Sequence, residues 1–272
     1  MDTKTAFVTG STDGVGRLVA VRLAGQRFKV LLHGRDRQRG EEVLGEIRAK
    51  GGEAAFYQAD FASLEAVRGL AAAVRRDHAR LDLLINNAGI GTGWGGNHRR
   101  TSVDGHELRF AVNYLAGFLL THLLLPLLHA SAPTRIVNVA SAGQQAIDFA
   151  DVMLTKGYDG ARAYRQSKLA QIMLTFDLAA ELAGSGITAN CLHPATFMNT
   201  TMVRQAGVAP MSTVEEGGAA ILNLALSPAL DGRTGLYFSG LQEARANPQA
   251  YDAAARERLR KLSLALTGLS QA

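Results

Sequence analysis

Short runs of β-branched and apolar residues alternate with longer helical stretches along the whole chain, and this alternation restricts the fold more than any other feature. The pattern predicts strands over Thr5–Thr9, Phe28–His33, Ala54–Gln58, Leu83–Asn86, Arg135–Ala140, Ile187–Leu192 and Leu236–Ser239. Helices are predicted between them, over Val15–Gly25, Arg37–Lys50, Leu64–His78, Asp104–Leu128, Gly160–Leu182 and Val214–Leu226, with a C-terminal helix from about Pro248 to Leu266. Strand and helix in regular succession require right-handed crossovers, and so a parallel sheet covered on both faces. The predicted fold class is α/β, a doubly wound parallel sheet of about seven strands with helices on both faces. No repeat and no Pro/Ser-rich linker divides the 272 residues, which predicts one domain over 1–272.

Composition excludes several classes. With 47% apolar residues the chain can bury a sizeable core. A single cysteine, Cys191, rules out an intramolecular disulfide and is expected to be a buried, inert thiol. Met1 to Val8 lacks a basic region followed by a long apolar run, so no secretory signal is predicted and a cytoplasmic location is expected. The most apolar stretch, Leu115 to Leu128, is shorter than a membrane span and carries His122 and Pro126; a buried helix is predicted there. The net charge of +5 is scattered, with Arg75-Arg76 and Arg99-Arg100 as the evident pairs, and offers no basic stripe for nucleic acid.

The first predicted strand runs into Thr9-Gly10-Ser11-Thr12-Asp13-Gly14-Val15-Gly16, directly before a helix. Gly10 permits a tight turn, Gly14 lets backbone approach a pyrophosphate, and Gly16 lets the helix pack closely on the sheet. The helix start then offers free N–H groups and the positive end of its dipole to phosphates. Glycines in a turn also occur in purely structural bends, but the strand before and the helix after favour a dinucleotide. The spacing T-G-x-x-x-G-x-G resembles the short-chain dehydrogenase/reductase family, and the resemblance implies a Rossmann fold that binds NAD(P). After the second strand the sequence reads Leu32-His33-Gly34-Arg35-Asp36. The resemblance places Gly34 where an NAD enzyme carries an acid for the ribose 2′-OH, with Arg35 beside it. A guanidinium suits a 2′-phosphate, so NADP(H) is favoured over NAD(H). Arg17 is a candidate second cation, and Asp36 reads as a helix N-cap. Asp60, followed by Phe61, resembles the family's adenine-binding acid, with an N-cap for the next helix as its other reading. Asn86-Asn87-Ala88-Gly89 resembles the family's NNAG motif, which implies that Asn87, Ala88 and Gly89 border the cofactor crevice.

Of the six tyrosines, only Tyr164 is followed four residues later by a lysine, Lys168. On a helix, residues four apart share one face, so the ammonium can lie under the phenol and lower its pKa. A surface i,i+4 pair would have the same spacing. The family resemblance makes Tyr164 the general acid/base and gives Lys168 a grip on the nicotinamide ribose as well. It also implies that Ser141, at the end of the fifth strand, orients the substrate oxygen. Asn113, in Val112-Asn113-Tyr114, matches the asparagine that holds a water beside the lysine. His193-Pro194-Ala195-Thr196 follows the sixth strand, with Ala195 where the family usually has glycine. By the same resemblance Pro194, Thr196 and Phe197 would meet the nicotinamide. No second histidine or acid stands at ligand spacing from His193, so no metal is predicted and His193 reads as structural.

The helix Val112–Thr121, the insert Gly143–Ala163 and the tail Ser239–Leu262 are most similar to the retinol-dehydrogenase-like branch. The resemblance implies hydride transfer between nicotinamide and a carbonyl or alcohol. It also implies a homodimer or homotetramer, pairing through the two long helices, with the apolar run at 115–128 as motive. Substrate choice would lie in the loops 91–100, 143–160 and 195–212, where Trp94, Phe149, Met153, Phe197, Met198, Met202 and Met211 suggest a largely apolar, medium-sized substrate. A non-catalytic NADP(H)-binding regulator of the same fold is the alternative.

Overall fold

The computed structural model describes residues 3–92 and 98–270. Strands β1 (Thr5–Val8), β2 (Lys29–Gly34), β3 (Glu53–Gln58), β4 (Leu83–Asn86), β5 (Thr134–Val139), β6 (Ile187–His193), β7 (Tyr237–Ser239) and β8 (Gln242–Ala244) form one sheet. Their order is β3-β2-β1-β4-β5-β6-β7-β8, parallel except for the β7–β8 pair. The helices are α1 (Gly14–Gly25), α2 (Arg37–Ala49), α3 (Leu64–Asp77), α4 (Leu108–Ala130), α5 (Gly160–Glu181), α6 (Thr201–Gln205), α7 (Val214–Leu226) and α8 (Ala253–Thr267). The sheet therefore has eight strands where about seven were predicted. The added edge strand, Gln-Glu-Ala, has no alternating apolar pattern to reveal it, and its Glu243 pairs with Arg233 at 2.6 Å.

Successive side chains of a strand point to opposite faces, and the core divides accordingly. Phe7, Leu31 and Leu84 face a layer built on α3, α4 and α5, which contains Val67, Leu119 and Leu169. Ala6, Val8, Leu32 and Ile85 face the opposite layer, with Val19 of α1, Val43 of α2 and Ile221 of α7. The chain goes outward from β1 through β2 to β3, then returns to place β4 on the other side of β1. Such a reversal leaves a crevice at the carboxyl ends of the two central strands.

Helix α4 begins four residues later than predicted. Asp104 to Glu107 form a turn with Gly105 in the left-handed region (φ 85°), and the Glu107 carboxylate caps the helix by accepting from Phe110 N at 2.7 Å. Ala111–Leu115 then winds as a π-helix, a distortion often found at functional sites, with Asn113 at its middle. Among the described residues α4 is the one helix long and apolar enough to cross a membrane; here Leu115, Leu119 and Leu124 are fully buried in the core.

The groove between α4 and α5 is filled by α8. Leu259 and Leu264 join the core that contains Tyr114, Phe118 and Leu178. Tyr114 Oη and Ser263 Oγ share a hydrogen bond of 2.7 Å, Arg256 pairs with Asp177 at 2.8 Å, and Arg260 with Glu181 at 3.3 Å. Leu259→Ala should cost about 2–5 kcal/mol in urea unfolding, the range for a buried leucine. A cost below 1 kcal/mol would mean α8 is loosely held.

Candidate active site

A cleft of about 640 Å³ opens at the carboxyl ends of β1 and β4. Its floor is the turn from β1 into α1. Gly10 lies in the left-handed region (φ 64°), and a Cβ there would stand 2.8 Å from the Ala88 Cα. At Gly16 a Cβ would lie 2.2 Å from the Gly10 carbonyl oxygen and 2.4 Å from Asn87 Nδ2, so only glycine lets α1 start so close to β1. The Asn87 amide donates to the carbonyls of Thr9 (2.9 Å) and Gly10 (3.1 Å), while Thr9 Oγ1 accepts from the N–H groups of Asn87 and Ala88. The second glycine-rich motif thus braces the first. A cradle that any Cβ would fill, opening at a helix N-terminus, fits a dinucleotide pyrophosphate.

His33 supplies the other brace. Gly10 N–H donates to its Nδ1 at 3.2 Å, which leaves the proton on Nε2, 3.2 Å from the Ala59 carbonyl. The ring stacks on Phe61 with centroids 4.2 Å apart. Burial pushes the imidazole down from 6.5 to about 4, so it is neutral wherever the fold is intact near neutrality.

Most residues expected at the cofactor line this cleft: Gly10, Thr12, Asp13, Gly14, Val15 and Gly16 on the turn, then Arg35, Asp60, Phe61 and Asn87-Ala88-Gly89. Three expectations are corrected. Ser11 is buried and bonds to the backbone of His33, away from the cleft. Arg17 points along α1 to Glu46 of α2 at 2.9 Å and takes no part in the lining. Asp60 does not cap α3; it accepts from Ala62 N in a tight turn, and Ser63 is the cap. Asp36 does cap α2, accepting from Arg39 N. Beside Arg35 the cleft contains Arg39, held by Asp13 at 3.3 Å and Asp36 at 3.7 Å. A Cβ at Gly34 would meet Thr12 Cγ2 at 2.4 Å, leaving no room there for an acidic side chain without moving Thr12.

Gly89 joins the cleft to a second group of residues. A Cβ at this glycine would lie 3.2 Å from Asn113 Oδ1 and 3.6 Å from Lys168 Nζ. Asn113 receives Ile90 N–H at 2.7 Å and donates to the Ile90 carbonyl (3.1 Å) and Ser167 Oγ (3.0 Å). Tyr164 and Ser141 come together at Gly143: a Cβ built there would lie 3.5 Å from Ser141 Oγ and 3.8 Å from Tyr164 Cε1, and Ser141 Oγ accepts from Gly143 N at 3.0 Å. All four residues of the expected set are therefore near one another beside Gly89, behind the cleft margin; none of the four lines the cleft itself. The lysine stands 5.9 Å from the Tyr164 ring centre and donates to the Val139 carbonyl (2.9 Å) and to Gln171 Oε1 (2.8 Å). Burial pushes this ammonium down from 10.5 to about 7. The phenol, expected to be lowered by the lysine, is instead raised by its own burial, with the Ser141 hydrogen bond acting the other way.

The loop after β6 departs further from expectation. Pro194 is buried, and Thr196 bonds to His193 through its hydroxyl and to Ser212 through its carbonyl; neither lines the cleft, nor does Phe197. Phe197 is left-handed (φ 43°) and 46% exposed, a strained backbone for a bulky residue. Instead Thr200, Thr201, Met202 and Gln205, at the start and along α6, cover the glycine turn, with Thr200 within 3.2 Å of a Cβ built on Gly14. The expected apolar pocket is only partly gathered. Met198 and Met202 line the cleft, Phe149 and Met153 pack elsewhere, and Met211 stands 72% exposed. Trp94 lies outside the described residues.

Residues 4–209 match the family model for the short chain dehydrogenases, and the chain belongs to that family. Human retinol dehydrogenase 14 is 35% identical over 299 residues, covering 99% of this chain and 88% of the human protein. Mouse retinol dehydrogenase 13 is 36% identical over 291 residues, covering 99% and 85%. The chain is thus an oxidoreductase of the CH–OH/C=O class, in the retinol-dehydrogenase-like branch. Among solved structures, the Pseudomonas aeruginosa RhlG/NADP active-site complex superimposes with a TM-score of 0.71 at 30% identity, over 87% of this chain and 94% of that one. A metagenomic short-chain oxidoreductase in complex with NADP gives 0.64 at 26% identity, over 81% and 90%.

The His33 brace has a pH signature. Its folded pKa lies below the unfolded value, so the unfolded chain binds the proton first, and stability present above pH 6.5 is lost as pH falls through about 4. The loss is on the order of 3 kcal/mol across that window. In unfolding free energies measured from pH 7 to 4, His33→Asn should flatten the slope; equal slopes would assign the acid sensitivity to other groups.

Proposed function

We propose that this protein is an NADP(H)-dependent carbonyl reductase and alcohol dehydrogenase for medium-sized, largely apolar substrates. The observation that carries the reading is the clustering of Tyr164, Ser141, Lys168 and Asn113 next to Gly89, at the margin of a glycine-floored cleft. The turn Gly10–Gly16 would hold the pyrophosphate, Asp60 the adenine, and Arg35 with Arg39 the 2′-phosphate. The two guanidiniums favour NADP(H), and Gly34 against Thr12 disfavours the acid that would bind a bare ribose. NADP in the complexes of two structural relatives agrees with this choice.

When bound, the nicotinamide supplies or accepts the hydride. Tyr164 supplies the proton: in reduction its phenol gives a proton to the oxygen that gains negative charge, and in oxidation it takes one from the alcohol. Ser141 donates a hydrogen bond to the same oxygen and fixes it against the phenol. Lys168, anchored by Val139 and Gln171, would keep a donor for the ribose beside the tyrosine, and with its pKa pushed down to about 7 it is only partly charged at neutrality. Asn113 holds the Ile90 backbone beside them. The phenol is protonated at neutral pH, the form needed for reduction, and burial raises its pKa further. The names of the curated relatives make retinaldehyde one of the first carbonyls to test, beside smaller apolar aldehydes and ketones.

The experiment is a fluorescence titration with NADPH and NADH, followed by turnover with a carbonyl panel. NADPH should be preferred, and Arg35→Ala should remove most of that preference. Tyr164→Phe should retain NADPH binding while losing roughly 10²- to 10⁴-fold in turnover. Coenzyme binding without turnover in the wild type would favour the regulator instead. The two directions should also differ in pH dependence. Reduction should hold through neutrality and fall as the phenol ionises, while oxidation should rise over the same range; parallel profiles would remove Tyr164 from the proton transfer.

A further inference from the structure

Glu107 and Arg109 lie just outside the cleft, each about 1% exposed, and the chemistry above uses neither. We propose that Arg109, locked by Glu107 and Tyr158, is a positioning residue that fixes the cleft-lining backbone leaving β4 and ties it to the insert before α5, so that the two segments move as one.

The guanidinium reaches in two directions. Its Nε donates to the Gly91 carbonyl at 3.1 Å and its Nη2 to the Thr92 carbonyl at 2.8 Å. Its Nη1 donates to Tyr158 Oη at 2.5 Å and lies 3.8 Å from Glu107 Oε1. Tyr158 Oη in turn donates a hydrogen bond to Glu107 Oε1 at 2.8 Å, and the second carboxylate oxygen caps α4. Asn113, one turn further along α4, holds the N–H and carbonyl of Ile90. Two side chains of one helix thus hold three consecutive residues, Ile90, Gly91 and Thr92. Ile90 and Gly91 line the cleft, and a Cβ on Gly91 would meet Met202 of α6 at 2.7 Å. On the insert side the same connection is doubled, because Arg99 Nε donates to the Met153 carbonyl at 2.9 Å and Glu107 N–H to Met153 Sδ at 3.4 Å.

A buried ion pair is a poor source of stability, since desolvation of both charges offsets their attraction, and an apolar pair of the same volume often does as well. Its distinctive property here is geometric. Strand β4 ends at Asn86, so the carbonyls of Gly91 and Thr92 have no ladder partner, and a planar fork of N–H donors meets both at fixed spacing. Burial and the Glu107 carboxylate push the Tyr158 phenol up to about 12, so it remains a donor to Glu107 throughout the working pH range. The cluster reaches the substrate end only through backbone, which predicts an effect on substrate binding rather than on coenzyme binding or proton transfer.

The test uses Tyr158→Phe, which removes only the hydroxyl at a half-buried position, and Arg109→Lys beside Arg109→Met. This proposal rests on the functional reading above, so one readout is independent of turnover. In hydrogen–deuterium exchange, Tyr158→Phe should raise exchange at least tenfold in both 88–92 and 150–158, with β1, β4 and β5 unchanged. In turnover, KM for a bulky apolar aldehyde should rise at least fivefold, with kcat and the NADPH dissociation constant within twofold of wild type. Arg109→Lys should fall between wild type and Arg109→Met in both measurements. Faster exchange confined to 150–158, or a KM change matched by an equal loss of coenzyme affinity, would overturn the coupling. If the wild type turns over no carbonyl, the functional reading fails and the exchange pattern alone decides the coupling.

Discussion

The close approach of α1 to the end of β1 is the contact on which the rest of the site depends. Gly16 lies so near the Gly10 carbonyl that a single methyl group would collide with it, and the same space is closed from the other side by the Asn87 amide. Because the helix starts there, its free N–H groups open directly into the crevice at the switch point between β1 and β4. The turn is then fixed by side chains from other strands: His33 at the end of β2, and Asn87 immediately after β4. Neutral His33 is suited to this, since it accepts from Gly10 while donating to Ala59 and so spans three strand ends with one ring. A protonated ring would present Nδ1–H to the Gly10 N–H and lose that contact.

A buried polar chain extends the same order towards the tyrosine. Asn86 donates to Thr121 of α4 and to Asn138 of β5, both at 2.9 Å; Asn138 donates to Thr175 of α5 at 2.8 Å. Thr175 in turn donates to the Gln171 carbonyl, and the Gln171 side chain accepts from Lys168. Polar groups beneath a sheet are costly unless satisfied, so such a chain penalises any shift of one helix relative to the strands. It fixes the register of α5, which carries Tyr164 and Lys168, against β5, which leads to Ser141. The π segment of α4 completes the arrangement by placing Asn113 beside Ile90, at the point where the cleft meets the lysine.

Local patterns made much of this legible. The glycine spacing, the strand ends and the i,i+4 relation of Tyr164 to Lys168 each depend on a few adjacent residues, and all reappear in the fold. What escaped depends on approach between distant segments. Arg17 follows the last glycine directly, yet the direction of its helix face sends it to Glu46; Arg39, three residues beyond a capping aspartate, turns into the cleft. Thr200 and α6 come over the glycine turn by a loop whose path no periodicity encodes. Similarly, α8 has an ordinary amphipathic sequence, and nothing in it says that its apolar side fills the groove between α4 and α5. The spacing of Tyr164 and Lys168 does not encode burial: in the fold, desolvation raises the phenol pKa, while the lysine's hydrogen bonds go to Val139 and Gln171.

The two ends of the cleft are built on different physical terms, and this bears on what each can discriminate. At the arginine end, Arg39 is held between Asp13 and Asp36, so a guanidinium stands in place beside Arg35 at little conformational cost. Opposite charges that are largely exposed position a group more than they stabilise the fold. At the other end the floor is backbone, Ile90 to Thr92, gripped by Asn113 and Arg109, whereas the facing wall is α6 with Met202 and the exposed side chains around it. In the proposed reaction, a floor held in this way would fix where the reacting oxygen sits relative to Tyr164 and Ser141. A methionine-bearing wall on a helix with no buried residues would adapt to the remainder of the substrate. On the proposed function, selectivity for the oxygen's position would come from the strapped loop and tolerance for the shape behind it from the methionine side, where Met202 packs against Gly91.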